Sequence, residues 1–282
     1  MTDYPIIQVD AFAGRPFTGN PAAVMPLDAW LDDAMLQSIA AENNLSETAF
    51  TVADASGAAD YELRWFTPAV EVALCGHATL AAGHALLAQQ PGRQEITFRT
   101  RQAGILRVER AGDGYAMALP NWAAAPRDLP ALAALMGGPV QSTLWHDKRY
   151  AVFIYPDAAS VRALTPDFAA LRAYGDILLI ATAPADDMAD EDGGGDGSGG
   201  AGAGRVDVIS RAFAPGGGID EDPVTGSAHC VIAQYWAQRL GRDTFRAFQA
   251  SVRGGHVGCT VAGERVILTG QATTVLTGMM HL

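Results

Sequence analysis

At 282 residues, 49% of them hydrophobic and 18% charged, the chain has the composition of a globular protein with room for two cores of roughly 100–150 residues. Its formal net charge of −12 argues against nucleic acid or an anionic membrane surface as partner. Six of the acids (Asp186, Asp187, Asp190, Glu191, Asp192 and Asp196) share one segment, so a small anionic substrate remains compatible with the rest.

Ile6 to Phe12 reads as a strand, followed by a turn from Gly14 to Pro21 and a return to extended chain at Ala22–Met25. Met35, Leu36, Ile39 and Ala40 fall at helical spacing, which predicts a helix over 32–43. Strands follow at Ala49–Val52 and Tyr61–Phe66. Ala78 to Leu87 is an almost wholly apolar helix, stopped by Pro91-Gly92, and such a helix must be wrapped by sheet. Strands near Glu95–Arg101, Gly104–Arg110 and Tyr115–Leu119 complete the first half, with a hinge expected over Pro120–Pro130.

The second half repeats this order. Strands are predicted at Tyr150–Tyr155, Ile177–Ala183 and Val206–Phe213, with a helix over 167–174. A second apolar helix runs from Ala228 to Leu240, and Gly241 is placed to end it. Closing strands are expected at Ser251–Gly254, His256–Val261 and Arg265–Thr269. Pro184 to Gly204, acidic and then Gly-rich, lacks apolar anchors and reads as a floppy surface loop. Its glycines do not read as a phosphate loop, because no Gly-Lys-Ser/Thr follows and the context is strand to strand.

The repetition extends to short motifs. Phe66-Thr67-Pro68 leads through an acidic stretch to Cys75-Gly76-His77-Ala78, and Phe213-Ala214-Pro215 leads likewise to Thr225-Gly226-Ser227-Ala228. Gly104 and Gly112 are eight apart, as are Gly255 and Gly263. The chain therefore reads as a duplicated half, lobe 1–120 and lobe 121–282, with a polar helix start in each. Helix N-termini hold carboxylates and enolates through free N–H groups and the helix dipole, and Gly76 and Gly226 allow close backbone approach. One such entrance could be no more than a capped helix, with Thr225 as a good cap. Two facing each other across a cleft predict an active site.

His77 and Ser227 occupy equivalent positions. Asp222, held extended by Pro223, is either a capping carboxylate or, beside a His across the cleft, half of a proton-shuttling pair. Glu47 lies in a polar bend entering a strand; turned inward, it becomes a general acid/base. His84 and His229 fall inside helices and are expected to be structural. Cys75, Cys230 and Cys259 are odd in number and lack metal-ligand spacing, so reduced thiols and no metal are expected. The first residues have no basic-then-apolar leader and no run approaches the ~18–20 apolar residues of a membrane span, so a soluble cytoplasmic protein is expected.

Four ordered motifs carry a family resemblance: Asp10-Ala11-Phe12 with Gly19-Asn20-Pro21, Asn44-Leu45-Ser46-Glu47-Thr48, Cys75-Gly76-His77-Ala78-Thr79, and Glu221-Asp222-Pro223-Val224-Thr225-Gly226-Ser227-Ala228. Together they resemble the PhzF-like phenazine-biosynthesis family from about residue 6 to about residue 270, with 184–204 outside it as an insertion. The resemblance implies an α+β, diaminopimelate-epimerase-like fold of two pseudo-symmetric lobes, each a β-barrel-like sheet around a central helix. It implies a homodimer that isomerises a small cyclic amino-acid-like molecule such as trans-2,3-dihydro-3-hydroxyanthranilate, without metal or organic cofactor. Glu47, His77 and Asp222 match the catalytic residues; Ser227, Gly76, Gly226 and Asn20 are assigned to substrate binding. Two alternatives remain. One is an epimerase or dehydratase using Cys75, though a two-thiol racemase is excluded because Thr225 stands at the second entrance. The other is a small-molecule binder without turnover.

Overall fold

The computed structural model describes residues 2–186 and 205–282. The expected loop at 184–204 therefore lies, from 187 onward, outside the described residues; Pro184 itself ends a strand. The chain divides into two compact units, Met1–Ala118 with Thr269–Leu282, and Leu119–Leu268.

In the first unit, strand Asp3–Ala11 pairs antiparallel with Asn20–Leu27, which runs parallel to Glu47–Ala53. Glu47–Ala53 is antiparallel to Tyr61–Phe66, which runs parallel to Glu95–Thr100, itself antiparallel to Ile105–Ala111. The second unit has the same order of pairings. Ser142–His146 is antiparallel to Tyr150–Ile154, then Leu178–Pro184 parallel, Val208–Ala214 antiparallel, Thr244–Gln249 parallel and Gly255–Ala262 antiparallel. Parallel neighbours require a crossover, and each unit places its helices there. Asp33–Asn43 and Gly76–Ala88 serve the first unit; Ala158–Arg162, Phe168–Leu171 and Gly226–Leu240 serve the second. The duplication read from the motifs is thus a duplication of topology.

Helix Asp33–Asn43 starts where Asp32 accepts a hydrogen bond from Met35 N and ends at Asn44 in the left-handed region. Helix Gly76–Ala88 is buried on nearly every face, as its uniform apolarity requires. Gly83 lets it lie against strand Ile105–Ala111, since a Cβ there would stand 2.5 Å from Val108 Cγ1. Helix Gly226–Leu240 ends at Gly241, φ 66°, as predicted. Met25, Leu36, Phe50 and Phe66 form a core in the first unit, and Phe153, Tyr155, Ile209 and Phe213 in the second.

Several elements differ from the sequence reading. Ser251–Gly254 is not a strand but the bend between Thr244–Gln249 and Gly255–Ala262. Gly254, φ 65°, precedes the strand as Gly104 does in the first unit, so the repeated pair is Gly254 and Gly263 rather than Gly255 and Gly263. The helix predicted over 167–174 is a short helix, Phe168–Leu171, continued by a 3₁₀ turn. Strands Ser142–His146, Thr244–Gln249 and Ala272–His281 and helix Pro130–Met136 went unpredicted. The last of these strands also alters the division into lobes. Ala272–His281 pairs antiparallel along the whole of Asp3–Ala11, so Thr269–Leu282 belongs to the first unit.

Candidate active site

In the first unit two adjacent strand starts and one helix start converge. Asn20 begins strand Asn20–Leu27 and sits opposite Ala11; Glu47 begins strand Glu47–Ala53 and sits opposite Ala22, two residues along. His77 is the second residue of helix Gly76–Ala88. The turn delivering Asn20 depends on Gly19, φ +64°, where a Cβ would fall 2.2 Å from Ala11 O. His77 Nε2 lies 2.8 Å from Glu47 Oε2, and the two side chains are only 5% and 12% exposed. The atoms are off the hydrogen-bond axis, so the contact is an ion pair rather than a linear bond. On the other edge of the ring, Nδ1 lies 3.1 Å from Asn20 Nδ2 and 3.5 Å from Cys75 Sγ.

The electrostatics follow from this packing. Burial disfavours an imidazolium, but the Cys75 sulfur and the Glu47 carboxylate outweigh it, and the His77 pKa is raised well above its usual value. Burial, then the Glu47 charge, push the Cys75 thiol up to about 11, so it is neutral at pH 7 and lends His77 no charge there. At that pH the Glu47 carboxylate is therefore the partner that favours a charged ring. The structure sets the Asn20 NH₂ toward Nδ1, which suits a ring accepting there; a doubly protonated ring needs that amide turned over. Glu47, Cys75 and His77 each offer a ligand atom within 4.8 Å of the others.

In the second unit Asp222 ends strand Ile219–Asp222, and Gly226 and Ser227 open helix Gly226–Leu240. Thr225 stands at the N-cap but does not cap, contrary to the expectation from its residue type. Its hydroxyl donates instead to Asp222 Oδ2. Cys75 likewise makes no capping bond, so neither N-cap side chain consumes the first-turn N–H groups of its helix. The carboxylate in contact with His77 within its own unit is Glu47. Both entrances share a further device. Thr79 Oγ1 donates to Cys75 O at 2.6 Å, and His229 Nδ1 lies 2.8 Å from Thr225 O, each four residues into its helix.

His229 is structural, as expected: fully buried, its pKa is lowered to about 4 by desolvation, so the ring is neutral and Nδ1–H is the donor. His84 bonds Tyr115 Oη at 3.0 Å and Thr274 Oγ1 at 2.8 Å. Three residues of this neighbourhood escaped the sequence reading. Gln249 is fully buried and bonds both Asp222 and Thr225. Ser210 contacts His229 Nε2 at 3.4 Å. The Tyr150 hydroxyl bonds Ser227, and burial raises its pKa. Tyr150 also lies against Trp122, tilted, and His146, edge-on, with ring centroids 5.7 and 6.2 Å away. All three lie on strands, and their partners are reached only through the fold, so residue type and spacing gave no signal for them.

All three cysteines are free and buried, as their number suggested. Among the described residues no helix is long and apolar enough to cross a membrane.

Comparison with known proteins agrees with this architecture. The model of a family described as phenazine biosynthesis-like protein matches residues 9–135 and 148–278. A Pseudomonas aeruginosa protein named as an uncharacterized isomerase is 44% identical over 279 residues, 98% of each chain. A human phenazine biosynthesis-like domain-containing protein is 38% identical over 288 residues, again 98% of each. The crystal structure of a PhzF-family protein from Enterococcus faecalis superposes with a TM-score of 0.86 at 38% identity, covering 100% of both chains. A hydroxyproline epimerase from Agrobacterium vitis, 11% identical with a TM-score of 0.59 over 98% of this chain and 92% of its own, shares the fold. The fold is the α+β, diaminopimelate-epimerase-like one, and the chain belongs to the PhzC/PhzF phenazine-biosynthesis-like family.

Proposed function

We propose that this protein is a cofactor-independent isomerase that shifts a proton on a small cyclic amino-acid-like substrate, with Glu47 as acid/base. The observation that carries the reading is the buried Glu47–His77 ion pair. It supplies a carboxylate in contact with an imidazole whose proton affinity it raises, shielded from water, where a proton can be taken up and given back. Glu47 removes a proton from an sp³ carbon, the electron pair enters the conjugated system, and Glu47, its proton free to exchange with solvent between the two steps, protonates another carbon of that system. Nothing is oxidised and no atom is lost. His77 steadies the charge on Glu47, and Asn20 holds the ring through Nδ1. Asp222, Gly76, Gly226 and Ser227 are proposed, from the family motifs, to bind the substrate's polar groups, with backbone N–H groups stabilising the developing charge.

Cys75 does not suit the thiolate chemistry of the alternative reading, because its pKa of about 11 leaves almost no thiolate at pH 7. Proton exchange in D₂O, followed by NMR with trans-2,3-dihydro-3-hydroxyanthranilate and a panel of cyclic and β-hydroxy amino acids, tests the proposal. Loss of a positioned acid/base lowers the rate by about 10²- to 10⁴-fold, so Glu47→Gln abolishes measurable exchange while Cys75→Ala retains it. Exchange that survives in Glu47→Gln and disappears in Cys75→Ala would overturn the assignment.

A further inference from the structure

We propose that Gln249, acting through Thr225, is the positioning residue that sets the direction of the Asp222 carboxylate at the second helix entrance. The inference rests on the reading of Asp222 as a substrate-binding group. Gln249 closes strand Thr244–Gln249 and has no solvent exposure. Its Oε1 accepts from Thr225 N at 2.8 Å, while Nε2 donates to Asp222 O at 2.7 Å and to Thr225 Oγ1 at 3.1 Å. Only one orientation of the amide satisfies all three. Turned over, it would set its NH₂ against an N–H and its oxygen against two acceptors.

That orientation determines the next bond. A threonine hydroxyl carries one proton. With Gln249 donating into Oγ1, the hydroxyl proton is directed outward, and its acceptor is Asp222 Oδ2. The remaining polar group of Thr225, its carbonyl, is taken by His229 Nδ1 at 2.8 Å, and the Ser210 hydroxyl faces His229 Nε2 at 3.4 Å. Ser251 Oγ donates to Pro223 O at 2.7 Å, fixing the residue between. The segment from Asp222 to Thr225 is therefore held by Gln249 from a neighbouring strand, Ser251 from a bend and His229 from the helix, the last backed by Ser210. Fixing a carboxylate's direction in this way removes alternative orientations before a ligand arrives.

The discriminating variant is Gln249→Glu, equal in size but with an acceptor where Nε2 stood. Its carboxylate competes with Asp222 for the Thr225 proton and faces the Asp222 carbonyl. Thr225→Val removes the same hydroxyl bond without introducing a buried charge, which keeps the test open should Gln249→Glu fail to fold. In the full-length protein each change lowers kcat/KM in the D₂O exchange assay by about 10- to 100-fold, the worth of one hydrogen bond to a charged group. The loss falls mainly on KM. Thr225→Ser restores most of it, and the double variant is no worse than the poorer single one, because both changes break one chain of bonds. Losses that multiply in the double variant, or a Thr225→Ser as impaired as Thr225→Val, would overturn the inference. Failure of the functional reading shows separately, as an Asp222→Asn variant with unimpaired turnover. The positioning claim is then read without substrate. NMR of the wild-type protein shows a slowly exchanging Thr225 hydroxyl proton with a cross-peak to the Gln249 side-chain amide; its absence overturns the claim.

Discussion

His229 makes the stability of this protein depend on pH in a window that can be calculated. Desolvation lowers its pKa to about 4, against the usual 6.5. Between those values the unfolded chain binds a proton that the folded chain refuses, so stability falls as pH drops through 6.5 and levels off below 4. The full difference of about 2.5 units corresponds to about 3.4 kcal/mol, of which about 2 kcal/mol is already lost at pH 5. His229→Asn keeps a donor near the Nδ1 position but no longer titrates. At pH 8 the variant is the less stable, by about 1–3 kcal/mol, through the cavity and the broken Ser210 contact. Lowering the pH to 5 narrows that gap by about 2 kcal/mol, because only the wild type carries the penalty. His84 and His146, whose pKa values burial also lowers, are present in both proteins and cancel. Urea unfolding of the two proteins at pH 8, 6.5 and 5 gives the gap directly. An unchanged gap would show that His229 is not held neutral, and the donor assignment at Thr225 O would fall with it.

Three further outcomes follow from local geometry. Cys75 titrates near pH 11 in a pH-dependent thiolate absorbance measurement, and Glu47→Gln lowers that value by removing a nearby negative charge; a wild-type thiol titrating near the ordinary value of about 8.5 would refute the account. Gly83→Ala destabilises despite the better helix propensity of alanine, because its Cβ would stand 2.5 Å from Val108 Cγ1. Overpacking costs about 1–3 kcal/mol against a gain near 1, and Val108→Ala in the same chain recovers the loss on urea unfolding. Gly19→Ala meets both a positive φ and a Cβ 2.2 Å from Ala11 O. It lowers the thermal midpoint and, by shifting Asn20, lowers proton exchange more than Gly83→Ala does.

The sequence alone determined what local pattern can encode. Two apolar helices appeared because one is buried nearly all round and the other over most of its first eight residues, and Gly241, in the left-handed region, marked the second one's end. The four motifs identified Glu47 and His77, whose contact the structure then supplied. Short strands such as Ser142–His146 stayed hidden, since five residues with mixed burial carry little periodicity. The lobe division missed Thr269–Leu282 for a different reason. Ala272–His281 is a half-exposed strand whose place is set by pairing with Asp3–Ala11 at the far end of the chain, a contact that leaves no mark on nearby residues. The same holds for the partners of the motifs. Thr225 looked like a cap because cap preference is local, yet its proton goes to Asp222 once Gln249, 24 residues on, occupies its oxygen. Residue type and spacing reveal which side chains can do chemistry. Which way a proton points depends on long-range packing, and only the folded chain decides that.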